Sequence, residues 1–257
     1  LSLYIYSFYL ENDSRIWVGT RNFGLYIYDI KTDKVIDVSK EYNIPKLRHA
    51  VVREMVLDGY DNMWISTNMG LCRLNLKTAT HKFYNTAPKN TNAIPNDDIF
   101  DLLLADSLIY ITTGNGLSTY HYDTDSFTTY HLSDSLTKGD VVKNYGFFDI
   151  VEGEDGRYYI GSYSNGMLAF SPDTKQFKTS KRADNIGRMV YAIIPDNNGF
   201  LWASTSKGIM KYSLATKDIT NYDVSDGLQG SEFTPNAFLR SKDGFIFFGG
   251  FNGFNYF

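Results

Sequence analysis

The chain has 257 residues, 43% of them apolar, enough to bury the core of one large β domain or of two ordinary ones. With 25 Lys and Arg against 29 Asp and Glu it carries a net charge of −4, which offers no general attraction to phosphate backbones or anionic lipid and argues against a nucleic-acid partner. One cysteine, Cys72, cannot form an internal disulfide or a multi-cysteine site, and His49, His81, His121 and His131 are too widely spaced for a ligand motif, so no metal or other cofactor is expected. No apolar run approaches the roughly 18 residues that cross a bilayer, and no charged and apolar leader begins the sequence. The expectation is a soluble, processed or excised piece with no direct membrane insertion.

The 20 Tyr, 18 Phe and 3 Trp favour pleated, half-buried surfaces. Short aromatic or β-branched runs such as Ile5 to Leu10, Met63 to Ser66, Leu108 to Thr112 and Phe245 to Phe248 are bounded by Asn, Asp, Gly and Ser and predict strands. In chain order, Ile16-Trp17-Val18-Gly19-Thr20 is echoed by Met63-Trp64-Ile65-Ser66-Thr67, Ile109-Tyr110-Ile111-Thr112-Thr113, Tyr158-Tyr159-Ile160-Gly161-Ser162, Leu201-Trp202-Ala203-Ser204-Thr205 and Ile246-Phe247-Phe248-Gly249-Gly250. The large ring recurs at 17, 64, 110, 159, 202 and 247, in steps of 43 to 49 residues. So narrow a band marks an internal repeat.

A glycine follows each ring (Gly24, Gly70, Gly116, Gly166, Gly208, Gly253), and four residues later comes Tyr28, Leu74, Tyr120, Phe170, Tyr212 or Phe257. This predicts a hairpin turned at the glycine. A turn of the form Asp/Asn/Ser-x-x-Thr follows, and an outer strand then ends at Val38, Tyr84, Tyr130, Thr179 or Tyr222. Four short strands and their connections need roughly 44 residues, which matches the period. A lone four-stranded meander buries little, so such units stack radially as the blades of a β-propeller. The fold class is therefore all-β, one propeller domain over 1–257, with repeats at about 1–40, 41–86, 87–133, 134–180, 181–224 and 225–257. Six blades are visible. The sixth stops at Phe257 after its third strand, which favours most of a seven-bladed ring over a six-bladed ring closed imperfectly. The recurrent rings themselves read as core.

These units resemble the two-component-regulator propeller repeat, approximately Asp-x-x-Gly-x-Leu-Trp-Ile-Gly-Thr-x-x-Gly-Leu-x-x-Tyr-Asp-x-x-Thr. Asp196 to Ile209 follow it nearly position for position, as do Trp17 to Thr32, and the resemblance covers practically the whole chain. Blade three lacks the Asp-x-x-Gly turn, blade two has Leu74 for the Tyr, and blades one and four carry an extra residue before the glycine. The tail from Asp226 to Phe254 is similar to the last blade of that family's second propeller. The resemblance implies the periplasmic sensor half of a hybrid two-component system of glycan-degrading gut bacteria, recognising an oligosaccharide. It further implies a preceding propeller, a following immunoglobulin-like domain, a receptor homodimer and a histidine kinase elsewhere in the full-length chain.

One rim of a propeller is built from the turns between second and third strands and from the connections into the next inner strand. Two of those turns are extended and aromatic, Arg21-Asn22-Phe23 and Tyr163-Ser164-Asn165, and suit the apolar face and hydroxyls of a sugar. Counting back from the repeat ring, Ser2, His49, Asn96, Asn144, Gly187 and Glu232 also fall on the rim, although Asn before a strand is equally a turn residue. Arg48, Lys207 and Asn252 complete the candidate ligand set, and Lys46, Arg53, Lys143, Lys181, Arg182 and Arg188 would suit an anionic sugar. Asp97, Asp98, Asp140, Asp184 and Glu232 dilute that positive charge. A further inner-strand series, Ser7, Glu54, Asp101, Asp149, Ala192 and Ala237, puts carboxylates on three neighbouring blades; they read either as sugar or acid–base groups or as caps on backbone N–H of an adjacent blade. No catalytic residue is expected. A protein-interaction scaffold using Phe23, Met69, Tyr163 and Phe251 is the alternative. A hydrolase or lyase is weaker still, because the Ser that begins an Asp-box is missing before Asp58, Asp155 and Asp196.

Overall fold

The structure, a computed structural model, describes residues 4–87, 89–105, 107–132, 146–179 and 189–257. The chain divides into two compact units, residues 1–129 and 130–257, each holding three successive antiparallel meanders. In the first unit, blade one is β1 (Ile5–Asn12), β2 (Arg15–Thr20), β3 (Leu25–Asp29) and β4 (Lys34–Asp37). Blade two is β5 (Val52–Leu57), β6 (Asn62–Thr67), β7 (Gly70–Asn75) and β8 (His81–Tyr84), and blade three is β9 (Ile99–Ala105), β10 (Leu108–Thr113), β11 (Gly116–His121) and β12 (Ser126–Tyr130). In the second unit, blade four is β13 (Phe147–Glu152), β14 (Tyr158–Ser162), β15 (Met167–Ser171) and β16 (Gln176–Thr179). Blade five is β17 (Val190–Pro195), β18 (Phe200–Thr205), β19 (Gly208–Ser213) and β20 (Ile219–Tyr222). Blade six has three strands, β21 (Phe233–Arg240), β22 (Ile246–Gly250) and β23 (Gly253–Tyr256).

The repeat ring sits at one register position in every blade, on the second strand opposite Tyr9, Val56, Leu103, Val151, Ile194 or Leu239. Alternate side chains of a strand face opposite ways, and β6 is buried along all but its first residue, so blade two is covered on both faces. Within each unit the first strands of consecutive blades lie next to one another. The cores are accordingly interblade layers. Trp17, Ile27 and Val38 of blade one pack with Met55, Met63, Ile65 and Leu74 of blade two, and Tyr159 and Met167 of blade four pack with Ile193, Leu201 and Tyr212 of blade five.

Polar groups tie four of the six rings to their own blades. The Trp17 indole Nε1 donates to Glu11 Oε2 (2.7 Å), Trp64 Nε1 to Asp58 Oδ2 (2.7 Å), Tyr159 Oη to Asp155 Oδ2 (2.9 Å) and Trp202 Nε1 to Asp196 Oδ2 (3.2 Å). Asp58 also accepts the N–H of Tyr60 and Asn62, and the hydroxyl of Tyr122 from blade three. Burial pushes the Asp58 carboxyl upward, but these donors outweigh it and hold it below its ordinary value. The acidic residue of the turn before the second strand is thus a structural acceptor. One strand end differs from expectation: β4 stops at Asp37, whose carboxylate accepts the Ser39 N–H (3.0 Å) and caps the helical turn Val38–Glu41, so Val38 leaves the sheet.

Candidate functional site

The turns between second and third strands lie at the same end of each sheet as the chain's approach to the first strand. Arg21 N donates to Tyr4 O, Asn68 N to Val51 O, Tyr163 N to Gly146 O and Ser206 N to Met189 O, each within one blade. Gly24 N reaches Ala50 O, Gly70 N reaches Asp97 O and Gly208 N reaches Ser231 O on the following blade. These bonds define a rim edge in each unit. Every turn but the last is held by the hydroxyl that ends the second strand. Thr20, Thr67, Thr113, Ser162 and Thr205 donate to the carbonyls of Gly24, Gly70, Gly116, Gly166 and Gly208 and accept the N–H of Phe23, Met69, Asn115, Asn165 and Lys207. Blade six has Gly250 in that place. A Cβ there would meet Gln229 Nε2 at 2.0 Å, so the glycine admits the Gln229 side chain, whose Oε1 takes over by accepting the Asn252 N–H at 2.9 Å.

On the edge of the first unit, Arg21, Asn22, Arg48 and His49 are exposed, and Phe23 is half-buried. Arg21 lies over the Tyr4 ring at 6.0 Å. Asn96 accepts the Asp98 N–H on its Oδ1 (2.7 Å), as a turn residue does. On the edge of the second unit, Tyr163 and Lys207 are exposed, Asn165 is half-buried with Nδ2 near Ser164 Oγ, and Asn252 donates its amide to Gln229 O (3.2 Å). Asn144, with Lys143, Lys181, Arg182, Arg188, Asp140 and Asp184, lies outside the described residues, as do Ser2 and Gly187. Two of the basic residues are already engaged: Lys46 Nζ bonds Asn85 Oδ1 over the Phe83 ring, and Arg53 pairs with Asp98 (2.7 Å) and donates to Ile99 O (2.8 Å).

The inner-strand carboxylates divide by role. Asp149 is buried and its Oδ2 accepts the Ile193 N–H of blade five, the adjacent-blade cap. Glu54 and Asp101, in adjacent blades, accept the N–H of Met55 (2.9 Å) and Leu102 (2.8 Å). Burial first, and the nearby Asp101 charge second, raise the Glu54 carboxyl to about 8.

Just before each of these positions the first strand carries an irregularity in its pairing with the second. In five blades one residue is inserted there: Tyr6, Arg53, Phe100, Phe148 and Tyr191, with Asn236 inside a longer irregularity of blade six. An inserted residue re-aims its side chain out of the pleat, and the five are half-buried at the rim end of their strands. In the first unit Arg53 stacks over Phe100 at 4.5 Å. In the second, Phe148 stacks with Tyr191 (6.3 Å, 28°) and meets Tyr163 edge-on (6.0 Å, 73°). These residues fall outside the series counted from the repeat ring, although an aromatic stands eleven residues before that ring, or ten in blade three, at four of the six positions. In the second unit Phe148, Tyr191 and Tyr163 form an aromatic floor beside Ser164 and Asn165, which suits apolar ring faces with equatorial hydroxyls.

No family model matches the chain. It is 22% identical over 245 residues to histidine kinase P4 of Formosa agariphila, a match that takes in 93% of this chain and 18% of that protein. Extracellular domains of two hybrid two-component systems of B. thetaiotaomicron match it in structure with TM-scores of 0.80 and 0.78, each at 22% identity over 98% of this chain. PorZ, a surface component of the type-IX secretion system of Porphyromonas gingivalis, matches at 0.72 and 13% identity. The chain spans about a third of those solved chains, 32 to 37%, and under a fifth of the kinase. The likeness to these extracellular domains establishes the fold: a β-propeller of antiparallel blades.

Proposed function

We propose that this chain is a non-catalytic, ligand-sensing propeller from the periplasmic ectodomain of a two-component receptor, and that its ligand is an oligosaccharide. The observation that carries the reading is the aromatic group of the second unit, in which the inserted residues Phe148 and Tyr191 stack at the rim end of the inner strands and Tyr163 meets Phe148 edge-on. Sugars bind proteins through aromatic faces and fixed donors and acceptors. Phe148, Tyr163 and Tyr191 offer the first, and Asn165 and Ser164 offer the second. The sensor likeness of the solved neighbours supports the receptor setting. In it the chain serves as the second propeller, flanked by a preceding propeller and an immunoglobulin-like domain in a homodimer. Ligand would alter the angle between stiff domains and pass that change to a membrane-spanning histidine kinase.

Calorimetric titration with a panel of polysaccharide-derived oligosaccharides tests the ligand class. A binder should lose at least tenfold in affinity in Phe148→Ala and Tyr191→Ala, with little change in melting temperature. Silence across the panel, in both the chain and its whole ectodomain, sinks the glycan reading. Scattering profiles of the ectodomain that do not change on saturation sink the domain-angle mechanism.

A further inference from the structure

The bonds that close the rim edge of the first unit also bring two arginines onto one stretch of it. Gly24 lies at φ +78°, and a Cβ there would stand 2.1 Å from the carbonyl oxygen of Leu47 and 3.2 Å from that of Arg48. Glycine therefore lets the blade-one turn rest directly on the approach to blade two. Its N–H donates to Ala50 O at 3.1 Å. The segment carrying Arg21 and Asn22 is thereby bonded to the segment carrying Arg48 and His49, and all four residues are exposed.

The other charged groups of this edge are already engaged. Asp98 pairs with Arg53 at 2.7 Å, and Asp97 accepts the Thr86 N–H at 2.6 Å. Lys46 is engaged as well, with Asn85 Oδ1 at 2.7 Å above the Phe83 ring. Among the described residues, no carboxylate pairs with Arg21, Arg48 or His49. Arg21, Lys46, Arg48 and Arg53 outnumber Asp97 and Asp98 here, so the edge is locally positive in a chain whose net charge is −4. A guanidinium presents a planar fork of N–H donors that matches the oxygens of a carboxylate or a sulfate. Arg21 lies over the Tyr4 ring at 6.0 Å, and the Asn22 amide and His49 imidazole add donors and acceptors for hydroxyls. We propose that this edge binds the anionic group of an acidic oligosaccharide, a carboxylate or a sulfate ester, held between Arg21 and Arg48. The proposal rests on the oligosaccharide reading above and adds to it a charge and a site on the first unit.

Calorimetric titration of the whole ectodomain with three panels tests it: uronate oligosaccharides that carry carboxylates alone, sulfated galactose oligosaccharides that carry sulfates alone, and neutral oligosaccharides of the same lengths. At least one acidic panel should contain a binder, and which panel does so separates carboxylate from sulfate. Its affinity should fall at least tenfold in Arg21→Gln and in Arg48→Gln and weaken with rising salt. It should stay unchanged in Lys31→Gln, an exposed cation on the turn between β3 and β4 at the opposite end of blade one. All three positions are exposed, so melting temperatures should not move. An acidic ligand indifferent to both arginine variants overturns the inference, and so does an equal loss in Lys31→Gln, which marks a general effect of charge. Binding confined to the neutral panel also overturns it, while leaving the oligosaccharide reading standing. Silence across all three panels takes both.

Discussion

Trp64→Ala tests the interblade layer directly. The side chain is completely buried, three tyrosine rings lie 4.6 to 6.3 Å from it, and its indole N–H donates to Asp58 at 2.7 Å. Removing so large a buried ring costs about 3 to 5 kcal/mol, because the wall of tyrosines cannot collapse into the gap. Trp64→Phe separates packing from the hydrogen bond. It keeps an aromatic ring in the layer and deletes one donor, while Asp58 retains Tyr60, Asn62 and Tyr122; the loss should be about 2 kcal/mol, the scale of one bond to a charged acceptor. Urea unfolding followed by circular dichroism gives both values. The emission of Trp17 reports on the first unit and that of Trp202 on the second. A loss under about 1 kcal/mol for the Ala variant means that the ring does not sit between packed sheets, and the blade reading goes with it.

Three further outcomes follow from the same geometry. Glu54 is held protonated in the fold to about pH 8 but ionises near 4.5 when unfolded, so its own contribution to stability should be fully present below about 4.5 and be lost as pH rises to 8. Glu54→Gln should flatten that slope and gain on the order of 3 kcal/mol at pH 7; denaturation curves at pH 4.5, 7 and 8.5 that run parallel for both proteins contradict it. At Gly208, φ is +110° and a Cβ would stand 2.1 Å from the Tyr222 carbonyl oxygen, so Gly208→Ala should lower the melting temperature by several degrees, whereas Gly199→Ala, with open space around it, should cost less. Equal losses at the two sites would show that crowding is not the cause. Burial pushes the Cys72 thiol up to about 12, so iodoacetamide should label it only in denaturant, and labelling of native protein at neutral pH would place the residue at the surface.

The blades were legible because core positions demand large side chains at a fixed spacing. Tyr110, Tyr159 and Phe247 could be aligned with the three tryptophans on bulk alone, and their strands pair in the register that the alignment requires. The missing fourth strand of blade six was legible for the same reason. Hydrogen-bonded partners were not, since Tyr122 and Asp58 lie 64 residues apart and neither residue type announces the other. The hydroxyl at Thr20, Thr67, Thr113, Ser162 and Thr205 was visible as a pattern, but its work in closing the turn appears only with the backbone in view. The inserted residues were hidden differently. One extra residue leaves the repeat length within its ordinary scatter, so counting from the ring absorbs it and singles out the neighbouring Glu54 or Asp149 of the inner-strand series instead.

Two of the aspartates that anchor repeat rings also bind side chains of the blade that follows: Tyr122 reaches Asp58, and Lys217 reaches Asp155. Sequence repeats and energetic repeats are therefore offset from one another. A chimera that exchanged a blade at its sequence boundaries would sever an acceptor from its donor on each side, even if both blades were native. Successful shuffling of these repeats, by an engineer or by gene duplication, has to cut within a blade, so that each aspartate travels with the residue that reaches back to it.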